Sequence, residues 1–316
     1  MKPALQATIL AAIALSSPIS TLAQQTETKV TARNVMGSEN VKRNSSGTLT
    51  IENGEFQFTA GTSKAVIPIA SIEDIVIGSE VTQSGGTAGT VAKTAATAAP
   101  YGSGAVLSVV LRTTADILTV SYRDSGGGLH YAILALPKGQ GDPQRSALIA
   151  AGARESGPAV DKEWKKDTAP VVPGRHGKKL TASAIQIEPV GADDVRIPVE
   201  FRAAIYEFLV ERVRESGTFQ QVFRSGDRAA ASASNLVALH MDVEKFKEGS
   251  QMQREITTVL GSTKLTVHGS VTAKDGQPVL SGKAEGKVRF RGENLGVTDD
   301  LAKHIAKILR KNFGTT

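Results

Sequence analysis

Residues 47–58 read Gly-Thr-Leu-Thr-Ile-Glu-Asn-Gly-Glu-Phe-Gln-Phe, with Leu49, Ile51, Phe56 and Phe58 at every second position on either side of Asn53-Gly54. Alternation of period two buries one face of a strand, and Asn-Gly supplies the two positive-φ positions that a tight hairpin turn needs. The stretch therefore predicts two antiparallel strands and sets the tone of a β-rich unit over residues 40–152. Residues 65–69 continue it as a strand, with Pro68 marking an edge or an end because proline cannot donate to a ladder. Residues 71–78 predict a further strand or bend, and residues 105–111, 117–122 and 129–136 predict three more, the last two joined by the turn at Gly126-Gly127-Gly128. A helix is expected over 142–152: Pro143 sits in its first turn, Ala147, Leu148 and Ala151 share a face, and Gly152 stops it.

Two stretches break this pattern. Residues 85–104 are rich in Gly, Ala, Thr and Ser with Lys93 the one charge, so they bury little apolar surface and read as a loop inserted into the sheet. Residues 153–180 are charged and punctuated by Pro158, Pro170 and Pro173, which reads as a linker carrying the sole tryptophan, Trp164. A second unit follows over residues 181–316, with a strand at 182–189, a helix near 199–216 and a short strand at 219–223. Longer strands are expected from Leu236, over 264–273 and over 279–290, the last two forming a hairpin around Asp275-Gly276. The closing helix at 297–312 turns Leu301, Ile305, Ile308 and Leu309 inward, and the cations of its last turns suit the helix dipole without any partner. The expected class is α+β: a β-rich unit capped by a helix, then an antiparallel sheet with two main helices.

The first 23 residues read as a secretory leader: Lys2, an uncharged apolar run from Ala4 to Leu15, Pro18, and Thr21-Leu22-Ala23 ahead of Gln24. The apolar run is shorter than the ~20 residues that cross a bilayer. Cleavage after Ala23 and residence in the periplasm or cell envelope are the expectation, with retention as an anchor the alternative. Cysteine is absent, which excludes disulfides, thiolate metal sites, a cysteine nucleophile and a lipidated cysteine. Net charge is +6, a mild excess that suits an anionic neighbour. Aromatics are only 4% of the chain, too few to interleave with a basic face, so no nucleic-acid partner is expected.

The segments Gly47-Thr-Leu-Thr-Ile51, Phe56-Gln-Phe58, Val66-Ile-Pro-Ile-Ala-Ser-Ile-Glu-Asp-Ile75 and Leu118-Thr-Val-Ser-Tyr122 resemble the bacterial members of the pleckstrin-homology-like superfamily. That resemblance implies a curved barrel with one open end plugged by the helix at 142–152. Glu215-Ser-Gly-Thr-Phe-Gln-Gln-Val-Phe223, Asn235-Leu-Val-Ala-Leu-His-Met-Asp-Val243 and the Asp275-Gly276 hairpin resemble a bacterial cell-envelope domain of unknown function. Similar layouts occur in periplasmic domains of translocation and secretion lipoproteins, which implies binding to other proteins; the missing cysteine departs from them.

The five histidines, at 130, 176, 240, 268 and 304, make no helical metal-ligand spacing, and no Gly-x-Ser-x-Gly elbow or glycine-rich nucleotide cradle is present. His240 and His268 lie in predicted strands and are read as a cross-strand structural pair or as solvent-facing. Asp193-Asp194 is read as capping the helix that follows. No catalytic residue, cofactor or metal is expected. The chain reads as an exported, non-enzymatic adaptor or binding module for an envelope protein or an anionic membrane surface. Its candidate contacts are Lys42, Arg43 and Lys64 with Gly85, Gly89, Lys93, Gly102 and Gly104 of the small-residue loop. The alternative is a secreted hydrolase, which requires His, Asp and Ser clustered in one pocket.

Overall fold

The computed structural model describes residues 28–83, 112–155, 179–192, 195–249, 262–288 and 295–314. The expected leader, the strand at 105–111, the loop at 85–104 and most of the linker lie outside these residues. The class is α+β, with a curled antiparallel half-barrel sheet and a second sheet beside it.

The first sheet has seven strands: β1 (Thr28–Met36), β2 (Ser45–Glu52), β3 (Glu55–Ala60), β4 (Ser63–Pro68), β5 (Ile72–Gln83), β6 (Arg112–Arg123) and β7 (Leu129–Pro137). Their spatial order is β4-β3-β2-β1-β7-β6-β5, and every neighbouring pair is antiparallel. Asn53 and Gly54 take φ of +52° and +76°, the doubly left-handed turn that the dipeptide favours. β4 is an edge strand and Pro68 ends it, so the missing N–H costs no ladder bond. The inward residues of the curl, among them Leu49, Ile51, Phe56, Phe58, Leu118, Val120 and Leu134, form one buried cluster. Helix α1 (Gly141–Ala150) adds Leu148 to it, fully buried.

Residues 40–152 take in all of this sheet except β1, which pairs with β2 on one side and β7 on the other and so joins the two meanders. The register slips between Asn34 and Met36, where a bulge interrupts the alternation.

The second sheet comprises β8 (Ala184–Gly191), β9 (Gln221–Arg224), β10 (Leu236–Lys247), β11 (Thr263–Ala273) and β12 (Pro278–Val288), in the order β12-β11-β10-β8-β9. It is mixed, which corrects the antiparallel expectation: β8 runs parallel to both β10 and β9. The reason is topological, since helix α2 (Val199–Glu215) carries the chain back across the sheet between β8 and β9. Helix α3 (Gly296–Asn312) closes the fold, packing on β12 and on α2. Pro198 precedes α2 and offers no side-chain cap, with Glu200 the acid in its first turn; Asp193-Asp194, expected to cap the helix, fall outside the described residues.

The two units are not separate bodies. β6 and β7 bury both faces: Leu118, Val120, Ala132 and Leu134 point into the half-barrel, while Ile117, Leu129, Ile133 and Ala135 join a second cluster with α2, α3 and the second sheet. α2 lies between the two sheets and is buried on most sides along its first eleven residues, Phe201, Ile205, Tyr206 and Leu209 among them together with the charged Glu200 and Glu207.

Candidate functional site

Three glutamates of α2, at steps of seven and four residues, fall on one side of the helix at 3.6 residues per turn. Glu200, Glu207 and Glu211 each meet the first sheet or its loops. The Glu200 carboxylate faces Gly78 of β5. Burial, with Glu248 adding repulsion, pushes its pKa up. Glu207 receives both guanidinium nitrogens of Arg224 at 2.8 Å and the Tyr131 amide at 2.8 Å. Arg224 also donates to the Leu129 carbonyl at 2.9 Å, so this buried pair ties α2, β9 and β7 together. Around it the turn after β9 docks on the β6–β7 turn: Leu129 donates to Ser225 O, Arg228 to Gly126 O, and Arg123 to both Ser225 O and Gly127 O.

At the other end of the stripe, Glu211 pairs with Arg43 at 3.1 Å, and Arg43 lies over the Phe208 ring at 4.9 Å. The β1–β2 loop that carries Arg43 is held from inside. Asn34 is fully buried; its side-chain NH2 donates to the carbonyls of Val41 and Lys42 at 3.3 Å, and its main-chain carbonyl accepts from Asn44 N at 2.7 Å. Gly37 enters the loop with φ +81° beside the Tyr131 carbonyl, a position no side chain fits. The loop and the start of α3 border a cleft of about 520 Å³ lined by Met36, Lys42, Arg43, Phe208, Gly296 and Asp299 among others. Asp299 is bonded by Arg212 and Lys303, each at 2.8 Å. Burial would raise its pKa, but these two cations hold it below the usual carboxylate range. Lys42 is exposed and has no carboxylate partner among the described residues.

Of the sequence-predicted contacts, the structure brings Lys42 and Arg43 together at this cleft. Arg43, expected as a partner or membrane contact, pairs with Glu211 and lies over Phe208. Lys64 is exposed on edge strand β4, three strands from β1. Gly85, Gly89, Lys93, Gly102 and Gly104 lie outside the described residues. Asn34, Phe208, Glu211 and Asp299 were not legible as site residues. The available sign was the recurrence of glutamate on one side of a helix whose neighbours Phe201, Tyr206, Phe208 and Leu209 are apolar.

The histidines are dispersed. His130 is buried, stacks on Tyr122 at 5.1 Å and contacts Asp124 at 2.9 Å. His240 and His268 share the open face of the second sheet but stand opposite Ser270 and Asp242 rather than each other. His304 sits on α3 against the Glu285 carbonyl. The arrangement nearest to a hydrolase is Ser281 at 3.1 Å from His268 Nε2, with Glu244 at 4.0 Å from Nδ1. Its carboxylate is beyond hydrogen-bond length and bound by Lys283 at 2.8 Å. The group lies on a pleated sheet face whose amides point within the sheet plane, away from any oxyanion above Ser281. Among the described residues no group of three metal-ligating side chains is assembled, and no helix is long and apolar enough to cross a membrane.

No family model and no curated protein matches the chain. Among solved structures, a PelC dodecamer from Paraburkholderia phytofirmans is similar at 14% identity and a TM-score of 0.34, covering 45% of this chain and 96% of that one. A neuraminyllactose-binding hemagglutinin homolog from Helicobacter pylori is similar at 14% identity and a TM-score of 0.24, covering 45% of this chain and 91% of that one. Likeness at this level carries no argument about function.

Proposed function

We propose that this chain is an exported, non-enzymatic component of the bacterial envelope that binds a protein partner, with an anionic group of that partner seated beside Lys42 in the cleft between the two units. The leader, cleaved after Ala23, delivers it to the periplasm or cell envelope. The observation that carries the reading is the cleft of about 520 Å³, where Lys42, without a carboxylate partner among the described residues, stands on a loop fixed by Asn34. A preordered loop loses little conformational entropy on binding, and an uncompensated lysine favours an acidic neighbour. The strand order of the first sheet, with Leu148 of α1 entering the curl, supports a pleckstrin-homology-like barrel for this unit. A second reading, contact with an anionic membrane surface, has its own support: the antiparallel meander sets the loop bearing Lys42 and the turn next to Lys64 at the same end of the sheet.

The test is a crosslinking pull-down of the mature protein from its own envelope fraction, with Lys42→Glu beside the wild type. Recovery of one defined envelope protein, reduced several-fold by Lys42→Glu, is the expected result. Equal recovery by the variant, or a monomer with nothing attached, contradicts the reading; salt-sensitive adhesion to anionic vesicles, lost in Lys42→Glu and Lys64→Glu, favours the second one.

A further inference from the structure

A second surface, at the edge of the second sheet, has the build of a peptide groove. β12 is the edge strand of its sheet, and α3 lies against it. Where the two are in contact, α3 covers the edge: Asp300 accepts from the Lys287 amide at 2.9 Å and His304 meets the Glu285 carbonyl at 2.6 Å. These two bonds identify residues 285 and 287 as facing out of the sheet. By the period of two, Ser281 and Lys283 face out as well. Their outward N–H and C=O groups have no partner among the described residues.

Beside that bare length of edge, helix and sheet part. Gly286 lies tight against Val297 and Leu301, whereas a Cβ placed on Gly282 meets nothing within 4 Å. The space left is an apolar groove of about 240 Å³, floored by Val267, Gly269 and Gly282 and walled by Ile305, Ile308 and Leu309. Ile308 is 38% exposed, one of three large apolar side chains left open to that degree among the described residues. Lys307 and Lys311 follow Ile308 around the helix, exposed and without a carboxylate partner among the described residues.

We propose that this groove binds an extended, acidic peptide segment of a partner protein, which adds a strand to β12 alongside Ser281 and Lys283 and lays an apolar side chain between Gly282 and Ile308. One wall of the groove offers unpaired backbone groups, which an extended peptide satisfies and an acyl chain cannot. Pairing of β12 with β12 of a second copy in register at Lys283 would set that lysine against its own kind, which is unfavourable across a ladder, and α3 covers the edge beyond it at Glu285 and Lys287. Lys307 and Lys311, exposed on the helix that walls the groove, favour acidic residues in that peptide. The proposal stands apart from the Lys42 cleft, and either can fail without the other.

The probe is a fluorescent nine-residue peptide alternating glutamate and leucine, titrated into the purified protein against a counterpart alternating lysine and leucine. Saturable binding of the acidic peptide is expected, weakened at least tenfold by Gly282→Leu, which fills the groove, and several-fold by Ser281→Pro, which removes one outward N–H without touching the β11 ladder. Lys311→Gln should weaken it less, and most at low salt. Thermal melts check that the variants fold, and Ile308→Asp replaces Gly282→Leu if the latter melts early. Equal affinity for the two peptides, no saturable binding, or wild-type affinity in the groove variants overturns the proposal. So does a concentration-dependent dimer that Gly282→Leu abolishes, which would assign the groove to a second copy.

Discussion

Glu200 and Glu207 sit on the same side of α2, seven residues apart, and their substitution should act with opposite sign. Glu207 is neutralised by two bonds from Arg224, and removing it leaves a buried guanidinium with no counter-charge; Glu207→Ala should cost about 3–5 kcal/mol in denaturant unfolding. Glu200 is buried with no cation paired to it among the described residues, and burial raises its pKa. A carboxyl whose folded pKa lies above its unfolded one contributes stability below the unfolded pKa and loses it as pH rises through the folded value. Glu200→Gln should therefore raise the melting temperature at pH 7, with the gain vanishing near pH 4; a lower melting temperature at pH 7 would mean that the charge is satisfied after all. Neither role could be read from the chain, because a glutamate among Tyr206, Phe208 and Leu209 looks the same whether a partner from another strand neutralises it or not.

At the scale of elements, the sequence reading succeeds where one face decides the structure. Helix α3 and the β11–β12 hairpin match expectation within a residue or two at most ends, since a single apolar stripe or a single Asp275-Gly276 turn specifies each. It fails at β1, where a bulge between Asn34 and Met36 shifts the alternation and where Lys29, Arg33 and Asn34 dilute it. It misjudges the second sheet because β8 is placed by pairing with β10 from beyond α2, and strand direction is set by the length of such a crossover. Helix α1 offers a test at this scale. Leu148 is its one apolar side chain buried in the half-barrel, so Leu148→Ala should cost about 2–5 kcal/mol, read by chemical denaturation; a cost below about 1 kcal/mol would mean that the helix merely covers the sheet.

For the whole molecule, the composition of residues 153–180 reads as a linker between two units, and the chain offered nothing on how the two meet. The packing joins them. One apolar cluster runs from Met36, Ile117 and Ile133 of the first sheet through α2 to Leu265 and Leu301 of the second unit, and the Arg224–Glu207 pair closes over it. The sequence of α2 hid this, because a helix serving one sheet needs one apolar stripe and a helix between two needs more, whereas here buried Glu200 and Glu207 break the second face. A welded pair of units holds the Lys42 cleft and the β12 groove at fixed separation, which is what a binding component working through more than one surface requires. Scanning calorimetry of the mature protein tests the weld most directly. A single transition, with calorimetric and van't Hoff enthalpies equal, is the result this account predicts; two resolved transitions, or a calorimetric enthalpy about twice the van't Hoff value, would contradict it.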